Sequence, residues 1–532
     1  MGSRGFGRAR GPGERLSRPA IIRAAPDEEL LIAAYDVGRR REVALDPQAR
    51  RRGAHYTPSE VARTLADIAL DHWRGGAHPR VVDPMCGGGV FLLAVADALV
   101  DRGMGPTDAL ASVHGSDLDG EAVAASVEGL RLWAAAHGLD LRSHNVECRD
   151  GFDTLAEGWD IVIGNPPFRG QLRSDTVHDA EERAALRGRF GEAATGYVDV
   201  AWLVALASVE ALVDGGVCVL VQPRSIVAAA HGASVRSRIS RMARLSDLWV
   251  PPGRVFVASV EVCAPVLVRT RDGETGTRSW ASRLAAADGV PGAANLDRGQ
   301  RSVGDVATVV AGFRDQYYGL VGHVRDAERD DEREGLAPLV TSGLIAPGRN
   351  DWGGVGARFA KQRWDRPVVD TEAAARARPP LSAWFDLVRQ PKVLVASQTR
   401  VVEAVSDPTG WLVPVTPVIS VIPAADNLDP VTPEMITAAL SAPVVSLWLQ
   451  HRLAGSGMSS GAMRVSAGEL AGLPLPTDAV AWEAASALLA RGIADESAWA
   501  RFGRLAEAAY EVEGEIDWWL TRVVAASGMV IG

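Results

Sequence analysis

The sequence predicts an α/β fold in which a mostly parallel, Rossmann-like sheet is covered by helices on both faces. Two observations support this fold class. Helical and strand-like segments alternate from about residue 51 to residue 270, and the run Gly87-Gly88-Gly89 opens a helix directly after a strand. Such alternation requires crossover connections that return each strand parallel to the previous one. We expect a mixed α+β C-terminal domain and terminal helices to follow this sheet.

Composition limits the class of protein. The 532 residues allow about two to four domains, and 47% apolar with 23% charged residues is typical of a well-buried globular chain. We find no apolar run of about 18 residues that would cross a membrane, and the N-terminus lacks the pattern of a secretory signal. We therefore expect no membrane association and a cytoplasmic location.

The cysteine pattern predicts neither a metal site nor disulfides. Cys86, Cys148, Cys218 and Cys263 lie far apart in the sequence, with no Cys-x-x-Cys spacing. We expect them to be reduced, buried thiols, as is usual in a cytosolic protein.

Charge is unevenly distributed along the chain. The net charge is −10, but residues 1–55 contain 12 arginines against 7 acids, and residues 349–400 contain 10 basic residues against 5 acids. The second stretch includes Lys361 and Lys392, the only lysines of the chain. Basic patches on an acidic protein are compatible with local phosphate binding, although any single patch is equally explained as solvated surface.

Five segments are predicted from pattern and composition. Residues 1–50 read as a flexible arm with a short helix, and 51–270 as the sheet domain. Residues 271–300 are rich in Gly, Ala, Asp and Thr without periodicity, which indicates a linker. Short strand-like runs between Pro and Gly turns indicate a second domain at 301–478. Helices are expected at 479–532.

The elements follow in a definite order. We expect helices at 59–74, 90–102, 120–138, 198–213 and 432–453, two more between 480 and 526, and strands at 80–83, 113–117, 144–149, 160–164, 217–222, 247–250 and 260–269.

The turn Asn165-Pro166-Pro167-Phe168 follows the strand at 160–164 and carries the strongest chemical signal. The side-chain oxygen of Asn165 and the carbonyl of Pro166 are both able to accept hydrogen bonds from a planar amino group. Phe168 is placed to stack on a base swung out of a duplex. These features suit chemistry on the exocyclic nitrogen of adenine, whereas the alternative is an ordinary Pro-Pro turn.

A glycine-rich turn spans Asp83-Pro84-Met85-Cys86-Gly87-Gly88-Gly89. Glycines there let a ligand approach the backbone, and the following helix directs its N–H groups at that ligand. The turn does not match Gly-x-Gly-x-x-Gly, and the absence of a following Gly-Lys-Ser/Thr excludes an ATP-binding loop. A nucleotide-like cofactor and a tight packing turn both remain open at this point.

Carboxylates end the next two strands. Asp117 is placed to bind both hydroxyls of a ribose, although Asp119 could simply cap the following helix. Asp150 could accept from an adenine amino group and Phe152 could line its ring, while Asp150-Gly151 alone is only a turn signal.

Together these motifs resemble one family. The ordered set His55-Tyr56-Thr57-Pro58, Asp83-Pro84-x-Cys86-Gly87-Gly88-Gly89, Asp117, Asp150 and Asn165-Pro166-Pro167-Phe168 resembles the gamma class of N6-adenine DNA methyltransferases, which includes stand-alone modification enzymes and the methyltransferase parts of type I and type IIG restriction systems. The resemblance covers about residues 51–270.

The resemblance implies S-adenosylmethionine as the methyl donor and an adenine flipped out of duplex DNA as the acceptor. Around the cofactor it implies Thr57, Asp83, Pro84, Cys86, Gly87, Gly89, Asp117, Asp150 and Phe152. Around the adenine it implies Asn165, Pro166, Pro167 and Phe168, with Phe256 as a second aromatic contact or, equally, a core residue. Asp199 resembles the family residue that opens the next helix, and Gly88 departs from the family by replacing a frequent Ser.

The C-terminal part resembles, less specifically, the target-recognition regions of such enzymes. This implies that residues 301–478 bind double-stranded DNA, and it leaves room for a separate restriction or defence subunit. Basic side chains are the candidate DNA contacts, namely Lys361, Arg363 and Lys392, with Arg349, Arg358 and Arg400 as further candidates.

The predicted function is site-specific methylation of adenine N6 in duplex DNA. Three alternatives remain: a methyltransferase acting on RNA bases or protein glutamine, a cytosine-N4 methyltransferase, and a catalytically silent DNA-binding specificity module.

Overall fold

The computed structural model describes residues 25–44, 57–168, 180–253, 255, 260–271, 278–296, 301–328, 336–424 and 431–529. Of the predicted arm and short helix at 1–50, only residues 25–44 are described, and His55, Tyr56 and Phe256 also lie outside the described residues.

The N-terminal half alternates helices and strands as expected. Its helices are α1 Glu28–Ala44, α2 Ser59–His72, α3 Val90–Asp101, α4 Pro106–Ser112, α5 Gly120–Ala136, α6 Gly151–Thr154, α7 Ala180–Phe190, α8 Val200–Ala211, α9 Ala233–Ser240 and α10 Arg278–Ala287. Its strands are β1 Val81–Asp83, β2 Val113–Asp117, β3 Val146–Cys148, β4 Trp159–Gly164, β5 Leu212–Leu220, β6 Gln222–Pro223, β7 Ala243–Trp249 and β8 Val262–Arg269.

These strands form one sheet in the order β3-β2-β1-β4-β5-β8-β6, with β7 paired to β8. The first five strands in that order are parallel, and β8 runs antiparallel to its neighbours. The chain first builds outward from β1 to β3 and then returns to place β4 on the other side of β1. A crevice therefore opens between the carboxyl ends of β1 and β4, which is where ligands bind in such sheets.

Burial on both faces explains the continuous apolar runs of the strands. Val81 and Val82 of β1 and Ile161, Val162 and Ile163 of β4 are each at most 2% exposed. One apolar cluster on one face contains the α8 helix, and a second on the other face contains α2 and α3. The predicted α/β fold with a mostly parallel sheet is confirmed.

The predicted aperiodic linker at 271–300 is wrong for the part that forms α10. Trp280 and Leu284 of this helix are buried in the same cluster as α8, because a tryptophan and a leucine four residues apart lie on one helix face. Sequence composition suggested a loop, but this short apolar stripe packs into the core.

The C-terminal half mixes short strands with helices, as predicted. Its helices are α11 Arg314–Leu320, α12 Thr371–Ala377, α13 Pro380–Val388, α14 Pro433–Leu440, α15 Pro443–Leu453, α16 Ala467–Ala471, α17 Ala479–Ala490, α18 Glu496–Ala509 and α19 Ile516–Ala526. Its strands are β9 Ala307–Ala311, β10 Val324–Asp326, β11 Leu336–Val340, β12 Ile345–Ala346, β13 Arg349–Asn350, β14 Ala357–Phe359, β15 Gln362–Trp364, β16 Pro367–Asp370, β17 Lys392–Ala396, β18 Gln398–Thr399, β19 Ala404–Asp407, β20 Val413–Pro414, β21 Val418–Pro423 and β22 Met463–Arg464.

Two four-stranded sheets organise this half, in the orders β10-β16-β11-β20 and β19-β17-β21-β9. The second sheet shares an apolar core with α14, α15 and the last helices, which contribute Trp499, Phe502 and Trp519.

Two helix predictions need correction. The single helix expected at 432–453 is two helices, α14 and α15, because Pro443 has no N–H to continue α14 and instead occupies the first turn of α15. The end of the chain holds three described helices and not two, since α17 stops before Gly492, whose φ is 84°.

Two further observations bear on the class of protein. Cys86, Cys218 and Cys263 are buried as predicted, but Cys148 is exposed because the last strand of the sheet edge leaves it facing solvent. None of the described helices combines the length and the apolar character needed to cross a membrane.

Candidate active site

The predicted site residues converge on the crevice between β1 and β4. Asp83 is the last residue of β1, and Asn165 directly follows β4. Thr57 lies just before α2, which packs over the same part of the sheet. Three distant sequence motifs thus meet at one edge of the sheet.

The Asn165 side chain is fixed at one end and free at the other. Its Nδ2 donates a hydrogen bond of 3.1 Å to Oγ1 of Thr57, which is 4% exposed. Its Oδ1 is buried and has no hydrogen-bond partner among the described residues. A buried amide oxygen without a donor costs free energy, roughly 1–3 kcal/mol, unless a ligand supplies that donor. The site therefore presents an acceptor awaiting an N–H group.

The rest of the turn forms the walls around this acceptor. Pro166 is buried, whereas Pro167 and Phe168 are half-buried. Phe168 packs against the apolar cluster that contains α2 and α3. An aromatic ring anchored on one side and partly open on the other is suited to stacking on a planar ligand.

The surroundings of Asp83 shift the pKa of its carboxyl group strongly. Asp83 is 1% exposed, and burial raises its pKa to about 8, with a further increase from the nearby charge of Asp117. The backbone N–H of Met85 donates to Oδ1 of Asp83 at 3.0 Å, and this hydrogen bond lowers the pKa of the carboxyl. The carboxyl also lies where a side chain on Gly164 would project, with Oδ1 2.5 Å from that Cβ position. Only glycine at 164 allows this approach.

The glycine-rich turn is held from beneath by hydroxyl groups. Ser126 on α5 donates to the carbonyl of Gly87 at 2.8 Å, and Ser116 on β2 donates to the carbonyl of Pro84 at 2.9 Å. Cys86 is 4% exposed, and burial raises the pKa of its thiol, which indicates a packing role for its side chain. Neither serine was predicted, since a serine inside a helix or strand gives no signal in one sequence.

Asp117 closes the turn from the side. Its two carboxylate oxygens accept from the backbone N–H groups of Gly87 and Asp119, both at 2.9 Å. Asp119 caps α5 by accepting from Glu121 at 2.9 Å, so the predicted capping role is confirmed for Asp119 and leaves Asp117 facing the crevice edge.

Helix α1 covers the glycine turn and was not expected there. The backbones of Gly38 and Gly88 approach so closely that a Cβ on Gly88 would lie 2.5 Å from Cα of Gly38. Tyr35 of α1 and Trp133 of α5 both donate to the carboxylate of Asp97, at 2.5 and 2.6 Å. Gly38, in the middle of α1, is the sequence feature that could have indicated this contact. Glycine destabilises a helix interior, so its presence there often reflects close packing against another backbone.

The close approach of α1 also explains the family departure at position 88. A serine there would carry a Cβ into the α1 backbone. Arg41, near the end of α1, forms an ion pair with Asp119 and so ties the helix to the edge of the crevice.

Asp150 and Phe152 form the far wall. Asp150 caps the short helix α6 by accepting from the N–H of Phe152 at 2.9 Å. The ring of Phe152 packs against Phe190 at 5.5 Å between centroids, and the guanidinium of Arg189 lies 5.1 Å from its centre. These contacts fix the Phe152 ring as a rigid surface.

The crevice fits a cofactor that joins a nucleoside to positively charged groups. A buried carboxyl with a raised pKa is stabilised as a carboxylate when a cation is placed beside it. The Asp117 carboxylate lies at the carboxyl end of β2, the strand next to β1, where a carboxylate is placed to bind ribose hydroxyls. The fixed Phe152 ring is available for stacking.

Of the predicted DNA contacts, the structure places two on an exposed hairpin and buries a third. Lys361 and Arg363 are exposed on the hairpin of β14 and β15, where Lys361 occupies the tip and Arg363 pairs directly opposite Arg358. Like charges opposite each other destabilise a hairpin until an anion lies between them. The hairpin is therefore a basic, outward-facing feature.

The prediction that Lys392 contacts DNA is wrong. Lys392 is 0% exposed and forms an ion pair with the buried Asp407, so it cannot reach DNA in this structure. Its ammonium satisfies a carboxylate that also accepts from the N–H groups of Trp411 and Leu412. Arg349 likewise pairs with Asp351. Phe256 lies outside the described residues.

One further family match and a nearby arginine lie on the same half of the chain. Asp199 caps α8 by accepting from Ala201 at 3.0 Å, as its family position implied. Arg224, in the turn after β6, is bound by both Glu261 and Asp288.

The chain is similar in sequence to known DNA methylases. Residues 42–280 match the family model described as N-6 DNA Methylase. The Type II methyltransferase M.MamI of Microbacterium ammoniaphilum is 32% identical over 135 residues, which cover 24% of this chain and 37% of that protein. The match thus spans little more than a third of the relative's length.

One solved structure is similar in fold over both halves of the chain. The Type IIL restriction-modification enzyme MmeI, solved in complex with DNA, matches with a TM-score of 0.57 and 11% identity over 93% of this chain and 82% of that chain. The type IIG restriction endonuclease BpuSI matches 91% of this chain with a TM-score of 0.41 and 11% identity, covering 68% of that chain. The resemblance to N-6 DNA methylases that the sequence motifs indicate is confirmed for residues 42–280.

Proposed function

We propose that this protein is a DNA methyltransferase that transfers a methyl group from S-adenosylmethionine to the N6 amino group of an adenine flipped out of duplex DNA. The observation that carries the proposal is the buried, unpartnered Oδ1 of Asn165, whose amide is fixed by Thr57. An exocyclic amino group supplies the missing donor.

The direction of the Asn165 amide favours an amino group as the ligand. Because Nδ2 donates to Thr57, the buried oxygen is the end of the amide that is left for a ligand. A ligand that offered only acceptors, such as a carbonyl at this position, would leave Oδ1 unsatisfied. Adenine presents an amino group at its exocyclic position, and Phe168 offers a stacking surface for its ring.

The cofactor is proposed to lie along the glycine-rich turn. Asp117 would bind its ribose hydroxyls, Asp83 would face its cationic part, and Asp150 with Phe152 would receive its adenine. When bound, S-adenosylmethionine supplies an electrophilic methyl group. Thr57, which the family resemblance places beside the cofactor, acts through Asn165 in this arrangement, and its contact with the cofactor stays a prediction.

The protein's own residues activate the amino group by position. Asn165 Oδ1 and the Pro166 carbonyl accept its two hydrogens, which directs the nitrogen lone pair away from the ring plane. Phe168 holds the base by stacking, a contact worth roughly 1–3 kcal/mol per base. The nitrogen needs no base before transfer, because its proton is lost only after the methyl group makes it cationic. Acceleration comes from positioning and preorganised acceptors.

DNA is proposed to bind between the crevice and the C-terminal half. The hairpin of β14 and β15 presents Arg358, Lys361 and Arg363, and phosphates would relieve the repulsion between its opposed arginines. The setting is restriction-modification, and a separate restriction or defence subunit is compatible with this arrangement. The target sequence would be read by this half of the chain.

The test is incorporation of labelled methyl from S-adenosylmethionine into duplex DNA of mixed sequence. The wild-type protein should label DNA, and digestion to nucleosides should place the label on N6-methyladenine. Asn165→Ala should lower transfer by about 10²–10³-fold, as expected when a preorganised hydrogen-bonding group is removed from a reacting site.

The control is cofactor affinity, which Asn165→Ala should leave unchanged. Labelled cytosine would contradict the adenine assignment, and label in RNA or protein with none in DNA would support a different substrate class. Cofactor binding without transfer to any of these would indicate a silent specificity module.

A further inference from the structure

A second feature lies at the same sheet edge as Asn165. Because β4 and β5 are parallel, their carboxyl ends lie side by side, and the N–H of Val221 donates to the carbonyl of Gly164 at 2.9 Å. The turn that follows, at Pro223–Ser225, forms one wall of a cleft. Val260, just before the antiparallel β8, lies on the same wall.

The opposite wall is a loop of the C-terminal half. Residues 454–462 connect α15 to β22 and read Ala-Gly-Ser-Gly-Met-Ser-Ser-Gly-Ala. At the tip of this loop is Met458, which is 89% exposed and lines the cleft. This is the largest exposed fraction among the large hydrophobic residues that the structure describes.

The loop is held in shape although its tip is exposed. Nε2 of Gln450 donates to the carbonyls of Arg400 and Gly461, at 2.8 and 2.9 Å. Nε of Arg400 donates to the carbonyl of Ser460 at 3.2 Å, and Oγ of Ser456 accepts from the N–H of Arg464 at 2.8 Å. The methionine is therefore presented by a fixed base.

Arginines surround this base. Arg400 and Arg464 are exposed, and neither forms an ion pair with a carboxylate of the described residues. Burial lowers the pKa of Arg522, and the nearby charge of Arg400 lowers it further. On the other wall the acids Glu261 and Asp288 are both bound to Arg224. The loop side of the cleft thus carries unneutralised positive charge.

We infer that the 454–462 loop is a DNA-binding wedge, in which Met458 enters the base stack beside the extruded adenine while Arg400 and Arg464 bind the flanking phosphates. The inference rests on the proposed function and assigns this loop to the same DNA duplex. Removing a base from the stack leaves apolar faces exposed to water, and an inserted methionine covers them. An exposed methionine on a loop that is hydrogen-bonded to two exposed arginines matches that surface in both polarity and charge.

Oxidation of methionine provides a direct test on the wild-type protein. Met458 should be converted to its sulfoxide by dilute hydrogen peroxide in the free protein, because it is fully accessible. A pool of duplex DNA, enriched by binding to the wild-type protein, should slow that conversion by about tenfold at saturation, as expected for a buried wedge. Peptide mass spectrometry measures both rates.

Variants separate the wedge from the phosphate contacts. Met458→Ala should weaken binding to the same pool by roughly fivefold or more, whereas Met458→Leu, which keeps the apolar bulk, should restore it. Val480→Ala is the control, since Val480 is 79% exposed on α17 and does not line the cleft. Arg400→Ala with Arg464→Ala should reduce the slope of log affinity against log salt by about two.

The outcomes distinguish the two proposals. DNA that is bound and methylated while Met458 oxidises at the free rate overturns the wedge alone, as does wild-type affinity in Met458→Ala. A protein that binds no duplex at all overturns both proposals. Protection of Met458 together with loss of affinity only in the alanine variant supports the wedge, whether or not methyl transfer is detected.

Discussion

The two lysines of the chain lie in regions of opposite character, although both belong to one basic stretch of sequence. Lys392 begins β17, is completely buried and neutralises Asp407. Lys361 lies at the exposed tip of the β14–β15 hairpin, beside Arg358 and Arg363. The same residue type therefore stabilises the fold in one region and is free to bind a ligand in the other. A basic stretch predicts DNA contact only after burial is known.

The largest effect on stability should come from removing the buried ion pair between Lys392 and Asp407. Lys392→Met leaves the Asp407 carboxylate buried without its cation, which should lower the free energy of unfolding by about 3–5 kcal/mol. Urea denaturation measures this change. The matched variant Lys361→Met, at an exposed site, should change stability by no more than about 0.5 kcal/mol. Equal midpoints for the two variants would contradict the contrast.

Two glycines allow the same comparison between a closely packed position and an open one. Gly88→Ala places a Cβ 2.5 Å from Cα of Gly38, so α1 must shift, at a cost of about 1–3 kcal/mol. Gly76→Ala is the control, because no atom lies within 4 Å of its added Cβ. Thermal unfolding should show a lower midpoint only for the first. An unchanged Gly88→Ala protein would mean that α1 does not press on the turn in solution.

The buried Asp83 carboxyl predicts a pH dependence of cofactor binding. Its pKa of about 8 keeps it mostly protonated at neutral pH, whereas a cationic cofactor favours the carboxylate. Binding should therefore release a proton, and affinity should rise with pH, by up to about tenfold per unit, and level off above pH 8.

Calorimetry in buffers of different ionisation enthalpy measures that proton. In Asp83→Asn the released proton and the pH dependence should both disappear. A wild-type affinity that is flat between pH 6 and about 8 would show that Asp83 does not face the cationic part of the ligand.

The smallest effect should come from the exposed hairpin. Lys361→Met should reduce the salt dependence of DNA binding by about one unit of slope, because one phosphate contact is lost. Lys392→Met, measured under conditions where it stays folded, should keep the wild-type slope. A reduced slope in both variants would mean that the buried lysine reaches DNA after a rearrangement.

Sequence reasoning was most successful where residues have to be near each other in sequence to do their chemistry. Asp83 through Gly89 and Asn165 through Phe168 are continuous motifs, and both lie at the ends of the predicted strands. The parallel sheet followed from the alternation of elements. The ordering of β1 next to β4 placed these motifs together, as the fold class implied.

Contacts between distant segments could not be predicted in this way. The pairing of Thr57 with Asn165, of Ser126 with Gly87 and of Lys392 with Asp407 depends on packing that no local pattern encodes. Helix α10 was missed because its apolar stripe is too short to rise above a composition typical of loops. Residue type alone likewise gave no measure of burial, which is why Lys392 was assigned to DNA.

Helix α10 has a consequence for exchanging specificity between related enzymes. Its Trp280 and Leu284 belong to the core of the catalytic half, while Ser282 exchanges a hydrogen bond of 2.8 Å with His451 of α15. A chimera whose two parents are joined anywhere in 271–300 would combine α10 with either a foreign catalytic core or a foreign α15. A recombinant design that takes both α10 and α15 from the same parent would preserve this hydrogen bond, so that a foreign recognition region could be grafted between the two helices.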